Sequence, residues 1–552
     1  MHPSITNLLK KAMAAQEAGQ WSQAEESFSA VIKLDACNAE ANYRLGCMAL
    51  EAGYPDDALA MANTALASRP SHQPYQKLKA LSLKRHILDL SKASKWADLL
   101  VQAKALSKLH SEQAEAYGWV ATAYMKLGQM NACRAAFLQR MQSCPDDPIL
   151  ASQWLGLHAG DPNTGPEAYY QIARAWDARF HSEPKVAPPL KRAGAQQRIG
   201  FVSKTLYHHA NANFLLPLLK QLNKFDVELY AYHDSEYSDT VTNQIKSTCS
   251  AFRTVAKMSL EDAAETIRKD QLDILFDING HFDCSRMCLF NYRPAPIQVH
   301  YLGGTGALAM RSMDWRIADD FTEPKLGEDR EHDAIYRLEG GMHAFQPLDS
   351  TVMPTESPAL KNGYVTFGCC NALHKIEKPI LQLWAKVLQA CPASRLLIIK
   401  DIFSEKQNRE SFGDFAAGEG IPLDRLDLRP TNPEMHYTDL SVYNSIDIAL
   451  DTSPYNGITT TCEALWMGVP VVTLCGDRFV AREAASLIRQ AGHPEWVADT
   501  TEAYVEICHR LAQLAPEPIS MRTHRSGAFQ KSPACDAQGL AQKIVDFCKL
   551  AV

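Results

Sequence analysis

The N-terminal part of the chain repeats itself. The stretch EAGQWSQAEESF beginning at Glu17 returns as EAGYPDDALAMA beginning at Glu51, and Gly19 to Gly53 and Ala24 to Ala58 are both separated by 34 positions. A third copy, KLGQMNACRAAF, begins at Lys126 and carries Gly128 at the same point. Counting 34 back from Gly128 reaches Ser94, inside ASKWADLL, where Trp96 stands as Trp21 does. The gap from Gly53 to Ser94 is 41, which predicts one longer helix pair. Such a period in residues 1–160, rich in Ala, Leu, Gln and Ser, leaves few folds open. Each helix pair exposes an apolar face that only the next pair covers. Gly or Ser marks the turn inside a pair. Five residues later a small residue, Ala24, Ala58 or Cys133, lets the two helices approach closely.

A 34-residue period of paired helices resembles the tetratricopeptide repeat, and a generic helical bundle is the alternative reading. Repeats of this kind offer a concave surface to a partner chain. The 552 residues are 46% hydrophobic and 22% charged, as in ordinary folded proteins, which excludes a mostly disordered chain, a coiled-coil rod and a collagen-like fibre. A net charge of -7 argues against strong non-specific binding to nucleic acid. No run of about 18 apolar residues is present, so no membrane span is expected, and the N-terminus lacks the apolar stretch of a signal peptide. The 15 cysteines form no Cys-x-x-Cys pair, which suits free thiols in a reducing cytoplasm.

Residues 161–196 read as a junction: a helix in PEAYYQIARAWDARFHS, then the proline-rich and basic EPKVAPPLKRAGAQQ. After residue 197 short β-rich runs alternate with helical stretches. One series of strands is expected at 198–203, 227–232, 273–277, 297–302 and 315–318, and a second at 364–368, 395–400, 425–428, 446–451 and 471–474. Two such series predict two doubly wound lobes, 197–345 and 346–552, with a cleft between them. Neither G-x-G-x-x-G after the first strand nor G-x-x-x-x-G-K-[ST] occurs, which disfavours a dinucleotide dehydrogenase and a P-loop ATPase.

The richest segment for chemistry is LDTSPYNGITTTCEALWMGVPVVTL, Leu450–Leu474. A strand ends at Asp451, a turn with Pro454 and Gly457 follows, and Thr459, Thr460 and Thr461 open a short helix that Gly468 stops. A helix start with free N–H groups and hydroxyls suits a diphosphate. Glu463, in its first turn, could accept from ribose hydroxyls. The same stretch also reads as a threonine N-cap with a glutamate favourable to the helix dipole.

This segment resembles the donor-binding segment of the O-GlcNAc transferase and SPINDLY family, in a form closer to SPINDLY and bacterial members. RIGFVS (198–203), DINGHFDCSRMCLFNYRPAPIQVHYLG (277–303), MDWRIADD (313–320) and FGCCNALHKI (367–376) carry the likeness in the family's order. The implied architecture is α plus α/β: a tetratricopeptide-repeat α-solenoid followed by a GT-B fold of two doubly wound lobes, acceptor side first and donor side second.

The resemblance also implies site residues. Lys375 matches the lysine that contacts the donor diphosphate, where, with no metal in use, a cation would stabilise the leaving group. Asn456, Gly457, Thr459, Thr460, Thr461 and Glu463 would complete the donor site. Arg482 matches an arginine that could bind phosphate or brace a loop, and Lys400, at a strand end, is a weaker donor-site candidate. His209 matches the histidine that lines the acceptor side and would orient the acceptor or take its proton. His281 matches a Gly-His position, and Asp277 precedes it at a strand end. Pro294 and Pro296 read as structural.

The chain departs from the family at Lys204–Leu206, at the loop Gly304–Ala307, at Ala372 and at Ile458. The base-stacking histidine has no aligned match, His436 being the nearest. These departures touch the sugar and base end of the donor. The activity implied is an inverting, metal-independent protein O-glycosyltransferase without a cofactor, with UDP-GlcNAc favoured as donor and Ser or Thr of cytoplasmic proteins as acceptors. A homodimer is compatible with this reading. The alternatives are a SPINDLY-like O-fucosyltransferase using GDP-fucose, an inactive repeat scaffold, and a transferase acting on small molecules or glycans.

Overall fold

The computed structural model describes residues 3–185, 196–282, 285–303, 306–323, 332–432 and 439–551. The chain divides into two compact units, residues 1–144 with 405–411, and residues 145–404 with 412–552.

The first unit is built from antiparallel helix pairs: Pro3–Glu17 with Trp21–Leu34, Ala39–Glu51 with Pro55–Ser68, Gln73–Lys92 with Trp96–Leu106, and Gln113–Lys126 with Met130–Ser143. The four turns contain Gly19, Gly53, Ser94 and Gly128, with φ of 73°, 88°, 54° and 76°. All four adopt the left-handed conformation that closes a helix C-terminus and favours glycine. Ser94 takes it at some strain, in the pair whose first helix is long. Ala24, Ala58, Leu99 and Cys133, each five residues after its turn, are buried. The spacing found in the sequence is therefore the spacing of close helix contacts. The helix Pro148–Ala159, grouped with the repeats on sequence grounds, belongs to the second unit, as does Pro166–Phe180.

The second unit holds two parallel sheets. The first contains β1 (Gln197–Ser203), β2 (Val227–His233), β3 (Ala251–Thr254), β4 (Ile274–Asp277), β5 (Ile297–His300), β6 (Trp315–Asp319) and β7 (Ile335–Leu338), in the order β3-β2-β1-β4-β5-β6-β7. The second contains β8 (Val365–Cys369), β9 (Ser394–Ile399), β10 (Leu426–Arg429), β11 (Ile448–Leu450), β12 (Val471–Leu474) and β13 (Val497–Ala498), in the order β10-β9-β8-β11-β12-β13. The ten expected strands are present. Three others, β3, β7 and β13, are edge strands. β3 is half exposed and β13 has two residues, so neither shows the buried apolar run that marks the central strands.

In both sheets the chain runs outward from the first strand, then returns to that strand's other side. Strand order thus reverses at β1/β4 and at β8/β11, and in open α/β sheets ligands bind at the carboxyl ends beside such points. The closing helix Ala537–Ala551 packs on the first lobe. Its Phe547 ring lies 4.6 Å from Tyr336, 6.2 Å from Trp315 and 6.4 Å from Phe276, and Cys548 O accepts from the Gln197 side chain at 3.0 Å.

Candidate active site

The carboxyl ends of β8 and β11 are joined by polar side chains. Asn371 Nδ2 donates to Asp451 Oδ1 at 3.3 Å. Asp451 is buried and also accepts from Gly457 N–H at 2.7 Å and from the Thr473 hydroxyl at 2.6 Å. Burial pushes its carboxyl up to about 6, against these hydrogen bonds and the nearby Lys375 charge. Asp451 thereby pins the loop that leads into the helix Thr459–Trp466.

That loop is packed with little slack. A Cβ on Gly457 would overlap Thr460 Oγ1 and the Asn371 amide. Asn456 donates from its side chain to Thr452 O at 2.8 Å and from its main chain to Val480 O at 2.9 Å, while its Oδ1 is buried with no hydrogen-bond partner among the described residues. The threonines play unequal parts. Thr461 is buried and back-bonds to Gly457 O at 2.7 Å, Thr460 donates to Asn371 Oδ1 at 2.6 Å, and the Ile458 cap supplies no side-chain hydrogen bond. Two of the three hydroxyls expected to face a ligand are therefore used to shape the loop, and the main-chain N–H groups of the first turn are the part of it whose chemistry suits an anion.

Lys375 lies against this loop. Its Nζ donates to Asn456 O at 2.7 Å and stands 3.8 Å from the centre of the Tyr455 ring. Burial pushes its ammonium down to about 8, opposed by the charges of Glu483 and Asp451. Glu463 is buried and accepts from the Tyr443 hydroxyl at 2.8 Å, and burial pushes its carboxyl up to about 7. Lys400 lies within electrostatic reach of both Lys375 and Glu463.

Arg482, expected among the donor-binding residues, has its Nε on Phe321 O at 2.8 Å and its Nη1 on Gly476 O at 3.0 Å. Those donors are committed to carbonyls, so of its two expected roles the brace is the one the geometry supports. Ser486 of the second lobe, bonded to Asp319 of the first at 2.8 Å, strengthens the same junction.

In the first lobe, Asp277 ends β4 with both oxygens engaged. They accept from Asn279 N–H at 3.1 Å, Gly280 N–H at 2.8 Å and His300 Nδ1 at 2.8 Å. Asp277 therefore organises the loop and holds His300, a residue the sequence reading passed over. His281 is buried against the edge of Trp176, with Nδ1 2.9 Å from the Ser152 hydroxyl. Burial, with a smaller effect from His300, pushes it down to about 3, so it is a neutral ring at physiological pH. His209 Nδ1 accepts from Asn211 N–H at 3.2 Å.

Arg293 and Gln298 of the RPAPIQ stretch brace the surrounding loops. Arg293 binds Ser312 O, Pro296 O and Asp314, and the Gln298 side chain binds Phe290 O. Gly304, Thr305 and His436 lie outside the described residues. Among the described residues no three His, Cys, Asp or Glu side chains group as a metal site, and no helix is long and apolar enough to cross a membrane.

Comparison with known proteins follows this division of the chain. The Glycosyl transferase family 41 model matches residues 179–333 and 346–544. Over 382 residues the chain is 29% identical to a protein of Petunia hybrida described as probable UDP-N-acetylglucosamine–peptide N-acetylglucosaminyltransferase SPINDLY, covering 68% of this chain and 41% of that protein. A protein of the same description from Oryza sativa subsp. japonica is 30% identical over 387 residues, with 68% and 41% covered. This chain thus spans about two fifths of the length of these curated relatives. A solved structure of a lysine-to-methionine mutant of the Thermobaculum terrenum O-GlcNAc transferase matches with a TM-score of 0.72 at 27% identity, covering 100% of this chain and 99% of that one.

Proposed function

This chain belongs to glycosyl transferase family 41, and from that premise we propose that it is an inverting protein O-glycosyltransferase that moves GlcNAc from UDP-GlcNAc to Ser or Thr hydroxyls of cytoplasmic proteins, without a metal. The observation that carries the proposal is the seating of Lys375 against the Asn456–Thr461 loop at the ends of β8 and β11. A fixed cation beside a helix start stabilises the charge that a nucleoside diphosphate gains as it leaves.

In the reaction the acceptor hydroxyl oxygen attacks the sugar's anomeric carbon from the face opposite the diphosphate. The bond from that carbon to the diphosphate oxygen breaks, the pair of electrons leaves with the diphosphate, and the hydroxyl proton passes to a base. Lys375 and the N–H groups at Thr459 and Thr460 meet the departing charge. Glu463 would take the ribose hydroxyls. His209, whose Nδ1 takes Asn211 N–H, would line the acceptor side and orient the acceptor or take its proton. The repeat unit would hold the acceptor polypeptide.

A thermal-shift panel with UDP, GDP, UDP-GlcNAc, UDP-Glc and GDP-fucose tests the donor. A ligand at 100 times its Kd adds about 2.7 kcal/mol of stability, a readily measured shift. Stabilisation by the UDP compounds supports the proposal. Stabilisation by the GDP compounds alone replaces it with an O-fucosyltransferase, and no shift with any of them replaces it with an inactive scaffold.

A further inference from the structure

The helix Pro148–Ala159 belongs to neither sheet, yet it touches the loops after β4 and β11, the strands at which the order of each sheet reverses. On the first lobe its Ser152 hydroxyl lies 2.9 Å from His281 Nδ1, and a Cβ on Gly156 would stand 3.1 Å from His281 O. On the second lobe Gly160, which closes the helix, lies against the Tyr455 ring. A Cβ there would stand 3.2 Å from Tyr455 Cδ1 and 3.4 Å from Tyr455 Cβ. Gly160 has φ of -94°, which residues with side chains also adopt, so it is the ring and not the backbone that restricts this position.

The turn beyond Gly160 is tied down. Asp161 O accepts from Arg478 Nη1 of the second lobe at 2.9 Å, and Asp161 Oδ1 accepts from Asn163 N–H at 3.0 Å. His158 Nδ1 and the Thr164 hydroxyl are 2.9 Å apart. These bonds fix the helix end where it meets the ring. The same ring, buried, carries the Lys375 ammonium 3.8 Å from its centre. An ammonium taken out of water is attracted to an aromatic face, so where the ring stands decides where the charge stands. The bond of Lys375 Nζ to Asn456 O, 2.7 Å, holds the ammonium at one point, and the ring holds it at a second.

Resting on the donor-site reading above, we propose that Tyr455 is a positioning residue acting through Lys375, and that the helix Pro148–Ala159 belongs to the donor site because Gly160 sets the Tyr455 ring. The ring passes the position of the helix end to the cation that meets the donor diphosphate. The catalytic part of the chain then begins near Pro148, ahead of residue 179, where the family 41 match starts.

The test is UDP and GDP binding, measured calorimetrically on the full chain. The wild type is compared with Tyr455→Phe, Tyr455→Leu, Gly160→Val and the double variant Gly160→Val/Tyr455→Leu. Phe keeps the aromatic face, and its affinity is expected to match the wild type's. Leu keeps apolar bulk without the face and is expected to bind about 10- to 30-fold more weakly, the scale of a desolvated cation–π contact. Gly160→Val pushes the ring aside. It is expected to weaken binding by up to the same factor alone and to add little to Tyr455→Leu, because residues that act through one another are not additive. Where the Val variant does not fold, Gly160→Ala gives the same pattern with a smaller loss. Equal affinities for the Phe and Leu variants overturn the role of the ring, since a merely structural tyrosine would be served alike by both. A Gly160 effect that is absent, or as large with Tyr455→Leu as without it, overturns the link to the helix. If the wild type binds neither nucleotide, the donor-site reading falls and this proposal with it.

Discussion

Lys375 Nζ and the main-chain oxygen of Asn456 are 2.7 Å apart. The bond joins the short segment after β8 to the loop after β11, so the cation and the helix start are held by one another. Preorganised charge of this kind needs no rearrangement at the moment of reaction.

Replacing Lys375 by Ala should reduce transfer by about 100-fold or more, the scale seen when one donor to a developing oxyanion is removed. The Tyr455 ring and the Asn456 carbonyl lose a neighbour but remain bonded to the loop, so the unfolding midpoint should change little. Turnover assays beside thermal melts check both expectations, and undiminished turnover refutes the assignment.

Gly457→Ala places a methyl group on Thr460 Oγ1 and the Asn371 amide. We expect a loss of about 1–3 kcal/mol in stability, as for overpacked interiors, together with weaker nucleotide binding, because the Asp451–Gly457 bond must shift. Chemical denaturation and calorimetry measure the two effects, and an Ala variant with wild-type affinity contradicts the packing described here.

Glu463 yields a pH prediction. Its carboxyl rises from an ordinary value of 4.5 to about 7 in the fold. The folded state therefore binds the proton more tightly, so the stability this group contributes is full below about 4.5 and is lost as pH rises through about 7. Glu463→Gln, which mimics the neutral acid, should match the wild type near pH 4.5 and exceed it above pH 7 by at most about 3 kcal/mol. Unfolding midpoints of the two proteins across that range should diverge, and parallel curves would show that Glu463 titrates normally.

Phe547→Ala should lower stability by about 3–5 kcal/mol, the usual range for a large buried ring. Its ring touches Phe276, Trp315 and Tyr336 of the first sheet, so the near-ultraviolet signal of Trp315 should change with it. A midpoint within error of the wild type would mean that the closing helix contributes little.

The repeats and ten of the strands were legible because periodicity and apolar runs are local properties of sequence. The turn glycines announced themselves by spacing alone, and Ser94 was found at the same point although it is not glycine. Of the four edge strands, β10 was found, while the half-exposed β3, the mostly half-buried β7 and the two-residue β13 escaped. At the site, Lys375 and the Asn456–Thr461 loop stood out as motifs. His300 did not, since a histidine in IQVHYLG gains meaning only from neighbours far away in the chain. Arg482 shows the reverse case. Its residue type suits phosphate, and in the fold its Nε and Nη1 donate to the carbonyls of Phe321 and Gly476.

The helix Ala537–Ala551 carries a consequence for synthesis. Leu540, Ile544 and Phe547 complete the core that begins with Ile199 and Phe201 of β1. From Leu338, the last residue of the first sheet, to Leu540 is 202 positions, nearly all of them spent building the second lobe. A growing chain must therefore carry a first lobe with one face uncovered until the second has emerged, so the lobe translated first is the one completed last.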